Sequence, residues 1–276
     1  MAGSLPRSPL APAGGFPALP PIAGVRFAAA EAGVRYKGRK DVMLAEIAAG
    51  SAVAGVFTRS ATRSAPVLWC EEKIAAAHDP AQGFGILVNS GNSNAFTGKN
   101  GRDAVERTAQ GAADALGVPL AHVFVASTGV IGEPLPADRI TAKLAELAGS
   151  LDEGAAEAAA QAIMTTDTFP KGAAATAEVG GKTVTIAGFA KGSGMIEPNM
   201  GTMLAYVFTD AAVAQPVLQQ MLRELTDVTF NAITVDSDTS TSDTLMVAAT
   251  GKAGNRMIDS DGPDAQAFRK ALHGVL

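Results

Sequence analysis

Gly201-Thr202 stands at the head of an apolar run, residues 203–208, behind a Gly- and Pro-containing approach that starts at Lys191. That order of residue types suits a chain that cuts itself. Gly201 has no side chain, so its carbonyl is open to attack and its backbone tolerates strained conformations. The Thr202 hydroxyl can attack that carbonyl, move the acyl group from nitrogen to oxygen, and leave an ester that water releases. The new N-terminus would carry an α-amino group of ordinary pKa about 7.7–8.0, close enough to neutral to act as base for its own hydroxyl. One residue would then supply both nucleophile and base. Gly-Thr before an apolar run is also the composition of a plain turn entering a strand, so the remaining segments must decide.

Thr128-Gly129 closes an apolar stretch. Backbone N–H groups at such a strand end, with a Thr hydroxyl beside them, can hold a developing oxyanion; an ordinary strand-end turn has the same composition. Thr165-Thr166-Asp167-Thr168 sets hydroxyls beside a carboxylate, which suits either a small polar substrate or a helix stop closed by side-chain-to-backbone bonds. Lys191 lies in a Gly-rich turn eleven residues before Thr202. It can pair with a substrate carboxylate as a point charge or sit solvated at the surface. The run Asp236-Ser-Asp-Thr-Ser-Thr-Ser-Asp-Thr244 has calcium-loop composition but lacks the turn Gly and the distal Glu, so a metal site is not expected.

These residues need elements to position them. Short apolar runs predict strands at 25–30, 41–48 and 52–58, with 65–70 continuing the last, then a short helix at 71–78. Residues 85–88 read as a strand halting at the polar loop 89–94. Helical spacing marks 103–116, with Gly117 as cap. Further strands fall at 122–127, 182–188, 202–208 and 245–249, and further helices at 136–147, 152–164, 214–225 and 264–276. Strands and helices mixed throughout predict an α/β or α+β layered sandwich.

Composition removes several classes of function. With 47% hydrophobic and 18% charged residues the chain is globular, and 276 residues are ample for a buried core. A net charge of −5 without a Lys/Arg cluster gives no attraction for nucleic acid or an anionic membrane. Cys70 is the only cysteine, which excludes an internal disulfide and a Cys-based zinc site. His78, His122 and His273 are too widely spaced to form a ligand pair. Six prolines in residues 1–24 predict an extended surface arm rather than the apolar helix of a signal peptide. No apolar stretch reaches the ~18–20 residues of a membrane span. The expectation is a soluble, cytoplasmic protein.

Seven segments in order resemble the ornithine acetyltransferase family, the bifunctional glutamate N-acetyltransferases of arginine biosynthesis. They are Ala54-Gly-Val-Phe-Thr58, Asn89-Ser-Gly-Asn-Ser-Asn-Ala95, Ser127-Thr-Gly-Val-Ile-Gly132, Met164-Thr-Thr-Asp167, Lys191-Gly-Ser-Gly-Met195, Pro198-Asn-Met-Gly-Thr-Met203 and 236–244. The resemblance implies layering like that of the N-terminal-nucleophile enzymes with a topology of its own. It implies self-cleavage between Gly201 and Thr202 into an α chain, 1–201, and a β chain that starts at Thr202 and here reaches 276. Thr202 is implied to take acetyl from N2-acetylornithine and pass it to glutamate. Thr128 and Gly129 match the oxyanion hole, and Thr165, Lys191 and Thr202 match substrate contacts. No metal or tightly bound cofactor is implied, though some members also use acetyl-CoA as acetyl donor; two α and two β chains associate. Gly201 stands where many members have Ala.

Family chains continue past the point matching Leu276, with a Glu and polar C-terminal residues that complete the substrate site. The resemblance therefore implies a chain cut short. Two other readings accompany it: a self-processing aminopeptidase or amidohydrolase, and a fragment that folds without its substrate wall.

Overall fold

The computed structural model describes residues 6–197 and 203–276. In chain order its strands are β1 (Val25–Ala30), β2 (Val42–Ile47), β3 (Ala52–Phe57), β4 (Phe84–Asn92), β5 (Val123–Val130), β6 (Lys171–Val179), β7 (Lys182–Lys191), β8 (Leu204–Thr209) and β9 (Thr244–Ala249). The helices are α1 (Ala65–Ala75), α2 (Gly98–Leu116), α3 (Ala137–Thr141), α4 (Leu144–Gly149), α5 (Ala156–Ala162), α6 (Gln215–Val228) and α7 (Pro263–Val275). The strands form two sheets, ordered β1-β2-β4-β5 and β3-β9-β8-β7-β6.

The sheets pack face to face. Phe27, Met43, Phe124, Phe189, Phe208 and Met246 fill the space between them. The Phe27 ring meets Phe208 edge-on at 5.0 Å and Phe189 at 5.6 Å, a favoured aromatic arrangement. Outside the first sheet, α2, α3 and α4 cover Leu44, Leu87 and Val125; outside the second, α6 and α7 cover Val184, Val207 and Val247. The result is a four-layer αββα sandwich, as the mixed pattern of elements predicts. Sheets covered on both faces explain why β8 and β9 are continuous apolar runs, buried along their whole length, rather than alternating ones. The edge strand β3 is tied down by Gln219 of α6, whose amide accepts from Gly55 N–H at 3.0 Å and donates to Gly55 O at 2.9 Å. Among the described residues no helix is long and apolar enough to cross a membrane.

Several local expectations fail for identifiable reasons. Residues 65–70 are the first turns of α1, not a strand. Pro66 sits in the opening turn, where its missing N–H costs nothing, and Val67 and Cys70 turn inward. The strand at 85–88 does not halt at Asn89; β4 runs on to Asn92 with every residue buried. Its polar side chains are satisfied by partners distant in the chain: Ser127 Oγ donates to Asn89 Oδ1 at 2.6 Å, and Ser90 Oγ to Ala162 O at 2.7 Å. The helix expected over 136–147 is two, α3 and α4, with no Pro or Gly at the break. The helix expected from 152 begins only at Ala156, because Asp152 exchanges both backbone bonds with Phe27 of β1. Strand β6 is unanticipated; its small residues carry no apolar alternation, and it forms the outer edge of the second sheet.

Two pairings set the stage for chemistry. β7 and β8 are antiparallel neighbours with Lys191 opposite Leu204, so residues 192–203 connect the ends of adjacent strands. β8 and β9 are parallel with Leu204 opposite Thr244. Lys191, Leu204 and Thr244 therefore form one row across three strands.

Candidate active site

Gly201 and Thr202, the candidate cleavage pair, lie outside the described residues. Their surroundings are described. Met203, the residue after Thr202, donates its N–H to Asp243 Oδ1 at 2.8 Å, and its carbonyl accepts from Thr244 N–H at 3.0 Å. On the approach side, Asp236 accepts from Met195 N–H at 2.6 Å and Ile196 N–H at 2.9 Å. Those amides hold its carboxyl below the ordinary carboxylate range. Thus the acidic run 236–243 grips the cleavage segment at both ends, a role its composition did not reveal.

Lys191 is buried, 2% exposed, rather than solvated. Burial lowers its pKa to about 8, against the pull of Asp167 and Asp243, which favour its charge, and with a further push from Lys171. Asp167 has a fully buried side chain. Its Oδ1 accepts from Lys171 Nζ at 2.6 Å and from Gly192 N–H at 2.8 Å, and its Oδ2 from Thr165 N–H at 3.3 Å. Burial opposes its ionisation, but Lys171, the Gly192 amide and Lys191 outweigh it and hold the pKa low. Thr165 is therefore fastened to the Lys191 corner through Asp167. Asp243 is fully buried, and burial lifts its pKa to about 8 in spite of the Met203 amide. The Ser240 and Thr58 hydroxyls and the Lys191 charge favour its anion as well, yet Oδ2 takes no hydrogen bond from the described residues.

The opposed shifts of Asp243 and Lys191 predict a stability minimum. Asp243 keeps its proton to about pH 8 when folded but releases it near 3.8 when unfolded. Its contribution is full below pH 3.8 and is lost as pH rises through 8. Lys191 sheds its proton at about 8 when folded and 10.5 when unfolded. Its contribution is present above 10.5 and lost as pH falls through 8. Urea unfolding at pH 5, 8 and 10 should therefore show a dip at pH 8 that the double variant Asp243→Asn, Lys191→Met lacks; equal dips in both would refute the assignment.

Thr128 and Gly129 lie at the end of β5, in the other sheet. Thr128 is buried and pairs in parallel register with Ser90 of β4. At Gly129 the register slips, and Asn92 pairs with both Thr128 and Val130. Gly129 has φ +132°, and a Cβ there would lie 2.4 Å from the Gly91 carbonyl carbon. Only glycine fits this close approach, and the irregular register re-aims the backbone groups at the strand end. A chain of bonds links this point to the Lys191 corner. Ser90 holds Ala162 O, Arg39 holds Met164 O at 2.6 Å, and Asp167 holds Thr165 and Gly192. The segment 162–167 thus spans from the Thr128-Gly129 strand end to the buried lysine.

A cleft of about 830 Å³ is lined by Arg59, Arg63 and Arg223 with Glu71 and Asp227. It meets this site only through Thr58, whose N–H donates to Asp243 O at 3.1 Å. Asp167 and Asp243 were visible in sequence only as members of polar runs; the one available signal was a lone Asp immediately before an apolar strand.

The chain is 60% identical over 270 residues to the arginine biosynthesis bifunctional protein ArgJ of Ruegeria pomeroyi, covering 98% of this chain and 64% of that protein. It thus spans about two-thirds of the length of that relative. Among solved structures it is similar to the arginine biosynthesis bifunctional protein ArgJ of Bacillus halodurans, with TM-score 0.57 and 35% identity over 66% of this chain and 92% of that one. It is also similar to the ornithine acetyltransferase of Mycobacterium tuberculosis, solved with ornithine, with TM-score 0.53 and 30% identity over 66% of this chain and 94% of that one. The profile of the ArgJ family matches residues 26–276, and the chain belongs to that family.

Proposed function

We propose that the protein to which this chain belongs moves acetyl from N2-acetyl-L-ornithine to L-glutamate in arginine biosynthesis, through an acetyl-Thr202 intermediate formed after cleavage between Gly201 and Thr202. The observation that carries this reading is the buried Lys191 between Asp167 and Asp243, one strand from Met203, in a chain of the ArgJ family. The Mycobacterium tuberculosis relative solved with ornithine supports the substrate class.

The chemistry follows from the residues. The Thr202 amine takes the proton of its own hydroxyl, and Oγ attacks the acetyl carbonyl. The oxyanion is met by the Thr128 hydroxyl and the Gly129 amide, presented by the irregular end of β5. The ornithine amine leaves with the proton, and the acetyl group stays as an ester on Thr202. The glutamate amine then attacks that ester and reverses the sequence. Ornithine and glutamate share an α-amino acid head, so a single lysine charge, Lys191, can hold the carboxylate of each in turn. Thr165, pinned by Asp167, lies along the same wall.

No step needs a metal or bound cofactor; acetyl-CoA is a second donor, from which the free Thr202 hydroxyl would take acetyl as the CoA thiol leaves. The reading places the protein in the cytoplasm as two α and two β chains, with 1–201 and 202 onward as the two pieces.

The test is a trapped intermediate. With N-acetylornithine and no glutamate, the peptide starting at Thr202 should gain one acetyl group, and adding glutamate should discharge it as N-acetylglutamate. Release of free acetate without transfer would instead indicate a hydrolase.

A further inference from the structure

The charged connection between β1 and β2, residues 31–40, is clasped at its base. Asp41, fully buried, accepts from Ala32 N–H and Val34 N–H at 2.7 Å each, and its carbonyl accepts from Ser90 N–H of β4 at 2.9 Å. Further out, Glu31 takes Gly38 N–H at 2.6 Å, and Arg35 pairs with Glu133 beyond β5 at 2.7 Å. A loop tied at these points holds its side chains in fixed directions. Ser90 serves both sides, since its N–H carries the loop base and its Oγ carries Ala162 O.

Two side chains of the loop reach the candidate site. The Tyr36 ring lies against Gly91, where a Cβ would sit 3.2 Å from Tyr36 Cε2. Gly91 is the register partner of Gly129 in β5. Arg39 lays its guanidinium over the Tyr36 ring, 4.5 Å from the centroid, and donates from Nη2 to Met164 O at 2.6 Å. A planar cation can stack by its face and donate from its edge at once, which a lysine ammonium cannot do. Met164 O is the last backbone group before Thr165. The chain there has left α5 at Ala162 and reaches β6 only at Lys171, so no ladder fixes it. Ser90 holds it upstream and Asp167 downstream. Between them, among the described residues, the hold from a distant part of the chain is Arg39.

We propose that Arg39 is a positioning residue for acetyl transfer. Stacked on Tyr36 and bonded to Met164 O, it fixes the segment that carries Thr165 and Asp167 against the Thr128-Gly129 strand end. This rests on the acetyl-transfer reading above. Arg39 acts through that segment and touches neither substrate. Its loss lets Thr165 and Asp167 drift from the Lys191 corner, which weakens the grip on the α-amino acid head that donor and acceptor share.

The test is steady-state transfer by the full-length protein, with N-acetylornithine and glutamate varied in turn. Arg39→Gln should raise KM for both about 10-fold and change kcat far less. Arg39→Lys, which keeps the charge without the plane, should recover part of that loss. Tyr36→Ala should raise both KM values as well, and the double variant should be little worse than the poorer single one, because the two residues form one unit. Arg35→Gln is the control for general loosening of the loop. It removes an exposed ion pair and should leave both KM values near wild type. A folded Gln variant with wild-type KM for both substrates overturns the proposal, as do equal losses from Arg35→Gln and Arg39→Gln. Fully additive effects of Arg39→Gln and Tyr36→Ala overturn it too. Should the Gln variant not melt cooperatively, Arg39→Lys decides: raised KM for both substrates supports the proposal, and wild-type values overturn it. A wild type that moves no acetyl overturns the acetyl-transfer reading, and this proposal with it; an active wild type beside an unaffected Gln variant overturns this proposal alone.

Discussion

Thr202→Ala leaves full-length protein as a single uncut species and reduces acetyl transfer by about 10⁴-fold or more. The effect is that large because three functions leave with one oxygen. The hydroxyl that starts the N-to-O shift is gone, so the chain stays joined to Gly201. Without the cut there is no free amine to act as base, and without the hydroxyl there is no atom to carry acetyl. Neither the Thr128-Gly129 turn nor Lys191 can compensate, since both stabilise a reaction that no longer begins. Thr202→Ser is the informative companion. It keeps the hydroxyl and should keep both cleavage and transfer, at reduced rates. Intact mass and the production of N-acetylglutamate read both outcomes. A fully active alanine variant would end the Thr202 assignment whatever happened at the neighbouring residues.

Asp167→Ala should destabilise the fold by about 3 kcal/mol, because removing one member of a buried charged cluster strands the others. The Asp167 side chain has no exposed surface and takes up Lys171 Nζ, Gly192 N–H and Thr165 N–H at once. Lys171 is one-third exposed and can recover water. Gly192 N–H is buried and cannot do so easily, and Lys191 loses the ionised carboxylate that favours its charge at neutral pH. The lysine pKa should then drop below about 8, and substrate carboxylates should bind more weakly at neutral pH. Asp167→Asn separates the two consequences. It retains shape and acceptor, so it should spare most of the stability while still raising KM for N-acetylornithine with little change in kcat. Urea midpoints and the KM-against-kcat split measure this; an Asn variant with unaltered KM from pH 6 to 9 would refute the role given to Asp167.

Much of this architecture is written locally. β1, β2, β3 and β9 follow from short apolar runs, and α2 from its spacing of Val105, Ala109, Ala112 and Ala113 and from Gly117, which has φ +68° and ends it. What escaped local reading depends on distant partners. β4 continues through Asn89, Ser90 and Asn92 because residues far along the chain, Ser127, Ala162 and Glu133, satisfy them in turn. Composition alone makes that stretch a loop. β6 is built from small residues and is a strand only because β7 turns back on it. At the candidate site, the motifs singled out Thr128, Gly129, Thr165 and Lys191, which fall at the end of β5, after α5 and at the end of β7, but burial could not be read. Lys191 reads as a surface lysine until β8 is laid against β7. Asp243 reads as one polar residue in nine until β9 is laid beside β8. Charges acquire their chemistry here from which strands are neighbours, and strand order is the property that a linear pattern encodes least.

That strand order has a consequence beyond the site. β8 and β9 sit between β7 and β3, so the piece that follows residue 201 supplies the middle of a sheet whose two flanks belong to the piece before it. If the chain is cut there as proposed, neither fragment can leave without tearing two ladders, and neither holds the whole of that second sheet. On that reading, assembly happens while the chain is whole, as a first-order event. After cleavage, any full opening turns refolding into a search by two molecules for each other, second order in concentration. The mature protein is then defended by the height of its unfolding barrier rather than by ready return. Its covalent history, no longer its sequence alone, determines whether it can be recovered from denaturant.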